Sequence, residues 1–166
     1  MTRFNTFFDM ILLACAIFAA TVFGATAVLI SVNVVLRNLG GTTIFGLLDA
    51  VEYGLLAATF LAAPWVLRQK AHVSVDLITS ALPDLPRRRL AQAIAIIGFA
   101  VALVFTRYAA EAAWSSAARG SMIRTAFTIP EWWVLSIAPL AFTLICIEFL
   151  RQVIEPGNRA EKATGL

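Results

Sequence analysis

The chain has 166 residues, of which 60% are hydrophobic and 14% are charged, and its formal net charge is +3 at pH 7. Its mean hydropathy of +0.84 excludes a soluble domain and indicates an integral membrane protein. We therefore expect a single membrane domain over residues 1–166.

The first apolar segment predicts a membrane helix over about residues 8–36. No residue from Met10 to Leu36 is charged, and as a helix this run extends about 40 Å, beyond a hydrocarbon core of about 30 Å. We expect the helix to tilt or to project from the membrane. The run is too long for a signal peptide, and no convincing cleavage site follows it, so we interpret it as a retained helix.

Three further apolar segments predict membrane helices at about residues 44–67, 90–118 and 129–150. Isolated strands cannot satisfy their backbone groups in lipid, so the sequence predicts an all-α membrane fold with four transmembrane helices. We expect a flexible tail at about residues 156–166.

Lys and Arg are distributed unevenly among the segments between these helices. The two termini and the second loop hold nine of them, whereas the first and third loops hold three. The positive-inside rule therefore predicts that both termini are cytoplasmic. The basic sequence pI of about 9.3 then reflects a cytoplasmic loop that faces anionic lipid, and it requires no nucleic acid as a partner.

The polar segment between the second and third helices holds the only histidine, His72. Asp76 lies four residues further along, so the two could form an ion pair or a base with its orienting carboxylate. Catalysis also needs a nucleophile or a metal in a shielded pocket, and this neighbourhood offers only hydroxyl groups at a membrane surface. We therefore expect a structural or docking role and no catalytic residue.

The apolar residues of this segment recur at helical spacing. We expect a short amphipathic cytoplasmic helix at about residues 74–82, lying in the membrane interface. Arg68 and Lys70 before it, and Arg87 to Arg89 after it, would hold its ends near lipid headgroups. Alternation at residues 73–77 also fits a short strand, but no other strand is predicted with which it could pair.

Several ionisable residues of the spans are candidates for structural or partner contacts. Asp49 and Glu52 share one face of the second helix in the outer part of the bilayer, where such groups need partners. Arg37 is the nearest in sequence. The alternatives are Arg107, Arg119 and Arg124.

Arg107 and Glu111 lie four residues apart and can pair along the third helix. Arg107 lies about 26 Å above Leu90, which places the pair near the outer interface. No ionisable residue remains at the centre of the bilayer, which argues against a self-contained ion pathway.

Small residues recur at four-residue spacing in the first two helices. They are Ala16, Ala20 and Gly24 in the first and Gly54, Ala58 and Ala62 in the second. Such stripes suit close packing of helices within the chain or against a partner. Cys15 and Cys146 lie in apolar helices without CxxC spacing, so we expect no metal or redox site.

The order of these features resembles the small membrane subunit of tripartite ATP-independent periplasmic (TRAP) transporters, the DctQ-like family. The resemblance covers about residues 4–155. Its features are Arg37, Glu52 with Tyr53, Arg68, Lys70, His72-Val-Ser-Val-Asp76-Leu, Leu82-Pro83, a basic run, Ile129-Pro130 and Trp133. The loop motif from His72 to Pro83 is the most specific. The family often has two adjacent acids and a tryptophan where this chain has Asp49, Ala50, Val51 and Glu52, and often a basic residue at the position of Ser74.

The resemblance implies a transporter component of the bacterial inner membrane and no enzyme. In that family a periplasmic substrate-binding protein delivers an organic acid, often a carboxylate, to a complex of a small and a large membrane subunit. The large permease subunit carries the substrate and sodium sites, and the small subunit braces it. This chain would then contact the large subunit, membrane lipid and, through the loops around Arg37 and residues 119–133, the binding protein.

No cofactor of its own is implied, because sodium coupling resides in the large subunit. The alternatives are a small subunit of a tripartite tricarboxylate-type transporter and another accessory membrane protein. The motif from His72 to Pro83 speaks against the tricarboxylate type.

Overall fold

A computed structural model describes the backbone of residues 2–70 and 84–154, and the side chains of residues 5–69 and 89–154. Within this part of the chain, four helical segments are long and apolar enough to cross a membrane: Asn5–Gly40, Leu47–Gln69, Arg89–Arg119 and Glu131–Ile154. The predicted all-α membrane fold with four spans is confirmed. The predicted amphipathic helix at residues 74–82 and the predicted tail at residues 156–166 lie outside the described residues.

Two of the spans are much longer than a membrane is thick. The helices are α1 (Thr2–Gly40), α2 (Leu47–Lys70), α3 (Asp84–Arg119), the short α4 (Glu131–Leu135) and α5 (Ile137–Ile154). At 1.5 Å per residue, α1 extends about 58 Å and α3 about 54 Å. Because the hydrocarbon core measures about 30 Å, both helices must tilt or project beyond it. α1 also extends past the expected residues 8–36 at both ends.

Glycine ends both long helices. Gly41 follows α1 with a φ of 62°, and Gly120 follows α3 with a φ of 64°. The Gly41 N–H donates to the carbonyl oxygen of Arg37 at 3.2 Å, and the Gly120 N–H donates to that of Ala117 at 3.1 Å. A left-handed glycine directly after the last turn satisfies the end of a helix without a Cβ clash, so the chain can reverse there.

The spanning helices pack in a row. α1 packs mainly on α2, α2 also packs on α5, and α5 packs on α3. The order α1–α2–α5–α3 leaves α1 and α3 at the two edges. In the most apolar window of each span, only 11–17% of the residues are buried within the chain, so most of the apolar surface faces outward.

Aromatic rings fill the seams of this row. The Phe142 ring of α5 stacks on Phe105 of α3 at 5.1 Å and lies edge-on to Phe60 of α2 at 6.0 Å. Gly98 of α3 accommodates the Phe149 ring, which would lie 2.5 Å from a Cβ at that position. Small residues and aromatic rings therefore set the close approach of α3 to α5.

The third loop forms an antiparallel hairpin that the sequence analysis did not predict. Its strands are β1 (Met122–Arg124) and β2 (Thr128–Pro130), paired with Ile123 opposite Ile129. Strands of three residues are too short to show a clear alternation of polarity. We call the end of the row that carries the hairpin the hairpin end, and the opposite end the termini end.

Candidate functional site

A group of four charged side chains joins three helices at the termini end. This termini cluster consists of Asp9 of α1, Arg68 of α2, and Glu148 and Arg151 of α5. Asp9 Oδ2 accepts a hydrogen bond from Arg68 Nη2 at 2.7 Å, and Asp9 Oδ1 accepts one from Arg151 Nη1 at 3.0 Å. The same Arg151 nitrogen lies 3.2 Å from Oε2 of Glu148. The cluster therefore pairs two carboxylates with two guanidinium groups.

The α5 half of the cluster is deeply buried. Glu148 is fully buried, and the Arg151 side chain is only 8% exposed. The Phe8 ring lies 4.9 Å from the Arg151 guanidinium carbon. Among the described residues, Nε and Nη2 of Arg151 are buried without a hydrogen-bond partner. A charge buried in this way is strongly destabilising once a partner is removed, so the cluster depends on all its members.

Asp49 attaches the hairpin to the first turn of α2. Its Oδ2 accepts a hydrogen bond from the backbone N–H of Ala126 at 2.6 Å. One turn further along, the Tyr53 hydroxyl lies 3.4 Å from the hydroxyl of Thr125. The hairpin thus has two polar contacts with the same helix.

Apolar and polar contacts fix the hairpin on both sides. The Phe127 ring packs edge-on against Phe45, with centroids 6.3 Å apart. Gly46 has a φ of 72°, and a Cβ there would lie 2.5 Å from the Phe127 ring, so this position suits glycine alone. Beyond β2, Glu131 accepts a hydrogen bond from the buried Ser116 hydroxyl at 2.8 Å. The hairpin is therefore anchored to α2 and to the loop before it, and the Ser116–Glu131 bond joins the two helices that flank the hairpin.

Among the described residues, neither Asp49 nor Glu52 forms an ion pair with any of the arginines suggested as partners, Arg37, Arg107, Arg119 and Arg124. Arg37 is exposed near the end of α1 and makes no ion pair with a described residue. Asp49 instead bonds to the hairpin backbone. Glu52 is exposed and has no hydrogen bond or ion pair among the described residues. For Asp49, the hydrogen-bond donor is therefore a backbone N–H of the hairpin and not an arginine.

The remaining predicted residues fall into three groups. Arg107 and Glu111 pair along α3 at 2.9 Å, with side chains 72% and 59% exposed. Trp133 is 56% exposed and packs edge-on against Trp132. Lys70 is the last residue of α2, but its side chain lies outside the described part of the chain. His72 and Asp76 lie wholly outside it.

The two stripes of small residues differ in the structure. In α2, Ala58 is fully buried, and a Cβ at Gly54 would lie 3.4 Å from Val22 of α1. In α1, Ala20 and Gly24 are exposed. The α2 stripe therefore packs within the chain, and these two α1 residues face away from it.

Three residues of the termini cluster were not singled out from the sequence. Glu148 and Arg151 lie three residues apart in an otherwise apolar helix, which is a visible signal of an ion pair. Asp9 bounds the first apolar run. Their convergence has no local signal, because 142 residues separate Asp9 from Arg151.

Among the described residues, no group of three or more His, Cys, Asp or Glu side chains could hold a metal ion. The geometry of the termini cluster and the hairpin contacts instead holds helices and a loop in fixed positions.

The model of one protein family, described as "Tripartite ATP-independent periplasmic transporters, DctQ component", matches residues 26–157. No curated protein has a matching sequence. The matched region includes residues 26–40 of α1 and every later helix and strand of the described structure. The chain therefore belongs to the DctQ family, the small permease component of TRAP transporters, and is a multi-pass membrane protein.

Proposed function

We propose that this chain is a scaffold subunit that braces the large permease subunit of a TRAP-type secondary transporter. This proposal rests on one observation: the four spans of this DctQ-family chain form a row, and most of their apolar surface is not covered by the chain itself. A row has two broad faces, and exposed helix surface is available to a second membrane protein. The ion pairs at the termini end and the anchored hairpin at the other end hold the row together as a unit.

The transporter would import an organic acid, a carboxylate delivered by a periplasmic substrate-binding protein, with sodium as the coupling ion. The substrate and sodium sites would belong to the large subunit. In support, the charged residues through which different segments of this chain contact one another lie near helix ends, in the termini cluster and at Asp49. Such groups fix helix positions and do not line a path between the two ends.

The chain would span the inner membrane of a bacterial cell. Its termini end would face the cytoplasm, and its hairpin end would face the periplasm. The distribution of Lys and Arg supports this orientation. The basic side chains of Arg37, Arg119 and Arg124 are exposed near the hairpin end, and Trp133 of α4, which follows the hairpin, is half exposed. These side chains would form part of the surface that receives the binding protein.

Copurification tests the scaffold role. A tagged chain of 18.0 kDa, extracted in mild detergent from its own cell, is expected to bring down a much larger multi-span membrane protein. Deleting the chain is expected to abolish carboxylate uptake by the cells, and the wild-type chain supplied from a plasmid should restore it. The proposal fails if the chain always runs alone and cells without it transport normally.

Reconstitution tests the coupling ion. Vesicles that contain both membrane subunits and the binding protein should accumulate carboxylate when an inward sodium gradient is imposed. Uptake driven equally well by a proton gradient without sodium would contradict the sodium assignment.

A further inference from the structure

Glu52 differs from the other acidic side chains that the structure describes. The others are held within the chain by an ion pair or a hydrogen bond: Asp9, Asp49, Glu111, Glu131 and Glu148. Glu52 is exposed and has neither kind of contact with a described residue. It is therefore a carboxylate without a partner in this part of its own chain.

Helix geometry places Glu52 within the apolar part of the membrane. It lies 16 residues before Arg68, which corresponds to about 24 Å along the axis of α2. Arg68 and Trp65 mark the interface at the termini end, and the hydrocarbon core is about 30 Å thick. Glu52 would then lie several ångströms inside the far boundary of that core. An unpaired carboxylate at this depth is costly in lipid and typical of a contact with another polar group.

Glu52 also belongs to a narrow exposed strip of α2. Between residues 52 and 66 the exposed side chains of this helix are Glu52, Thr59 and Val66, spaced seven residues apart. We call these three residues the α2 strip. α2 is covered by α1 and α5 elsewhere, and a seven-residue spacing is the geometry with which one helix packs along another. Because the strip exposes only one residue in every seven, it fits contact with one neighbouring helix.

We infer that the α2 strip is the contact surface for one transmembrane helix of the large permease subunit, and that this helix presents an Arg or Lys side chain to Glu52. The inference rests on the proposed function. A cationic partner satisfies the carboxylate, whereas lipid tails offer it no donor. Two copies in the same membrane orientation, packed strip to strip about a two-fold axis along the membrane normal, would place Glu52 near Glu52, and like charges oppose such an interface.

The Thr59 hydroxyl needs no polar partner from outside. It donates to the carbonyl oxygen of Leu55 at 2.7 Å, so Thr59 presents its methyl group along with the apolar Val66. The partner helix would therefore be apolar along the strip and basic opposite Glu52.

Photocross-linking in native membranes tests the contact. A benzophenone amino acid in place of Thr59 or Val66 should give, on illumination, an adduct with the large subunit. An adduct with a second copy of this chain, or with lipid alone, would overturn the inference. The proposed function would survive that result, because it depends on copurification of the wild-type chain with the large subunit.

Charge reversal tests the role of Glu52. Glu52→Lys should lower the amount of copurified large subunit at least tenfold, and exchanging the facing basic residue for Glu should restore it. Glu111→Lys is the matched control, because it makes the same charge change at an exposed residue that already has a partner in α3; less than a twofold change is expected. Equal losses from the two variants would refute a specific contact at Glu52.

Discussion

Asp9 of α1 and Arg151 of α5 form a 3.0 Å ion pair across 142 residues of sequence. Asp9 also accepts a hydrogen bond from Arg68 of α2 at 2.7 Å, so one carboxylate binds two other helices. α1 lies at an edge of the row and packs mainly on α2. The pair with Arg151 therefore ties α1 to a helix beyond its main neighbour.

Replacing Asp9 should loosen the termini end. Asp9→Asn removes the negative charge that faces Arg68 and Arg151, and the Arg151 side chain is 8% exposed. We expect the free energy of unfolding to fall by about 2–3 kcal/mol, because the buried Arg151 guanidinium loses one of its two carboxylate partners and keeps only Glu148. Titration of the chain from mild detergent into sodium dodecyl sulfate, followed by circular dichroism, measures this change.

The matched control is Glu111→Gln in α3. It removes a carboxylate from an ion pair whose side chains are 72% and 59% exposed, so a loss of about 0.5 kcal/mol or less is expected. Equal losses from Asp9→Asn and Glu111→Gln would show that the termini cluster adds nothing beyond an exposed pair.

A large side chain at Gly98 should separate α3 from α5. A Cβ at this position would lie 2.5 Å from the Phe149 ring, whereas a Cβ at Gly24 would have no atom within 4 Å. Gly98→Leu is expected to cost about 1–3 kcal/mol through overpacking, and Gly24→Leu should not destabilise the chain. The same detergent titration compares them. A tolerated Gly98→Leu would contradict the close packing of these helices.

The four spans were predictable because their signal is local. Long uncharged runs define membrane helices by length and composition alone, and the pair of Arg107 with Glu111 follows from four-residue spacing. The helix ends were less visible. α1 continues to Gly40 because the polar residues after Leu36 remain helical until Gly41 adopts a positive φ.

The contacts between distant segments were not predictable from the sequence. Asp49 and Ala126 are 77 residues apart, and the hairpin that brings them together has strands of only three residues. No periodic pattern in the sequence indicates the order of the helices in the row either. The termini cluster and the hairpin anchors both depend on that order, so the sequence did not show which of their distant members meet.

Removing the Asp49 carboxylate should release the hairpin locally. Asp49→Ala leaves the Ala126 N–H without its acceptor, at a cost of about 1–2 kcal/mol, while Asp49→Asn retains a carbonyl oxygen and should cost less. Hydrogen exchange measured by mass spectrometry should show faster exchange at residues 122–130 in Asp49→Ala, with the spans unchanged. Unaltered exchange in that segment would show that Asp49 does not hold the hairpin.

The proposed orientation predicts which exposed positions react with a membrane-impermeant maleimide. In a chain with Cys15→Ala and Cys146→Ala, a cysteine in place of the exposed Arg124 should be labelled in cells with a permeabilised outer membrane and an intact inner membrane. Gln69 is exposed near the C-terminal end of α2, which lies at the termini end. A cysteine in its place should be labelled only after the inner membrane is broken, because the positive-inside rule places that end in the cytoplasm. Labelling at position 69 but not at position 124 in intact cells would reverse the orientation, and Arg37, Arg119 and Arg124 would then face away from a periplasmic binding protein.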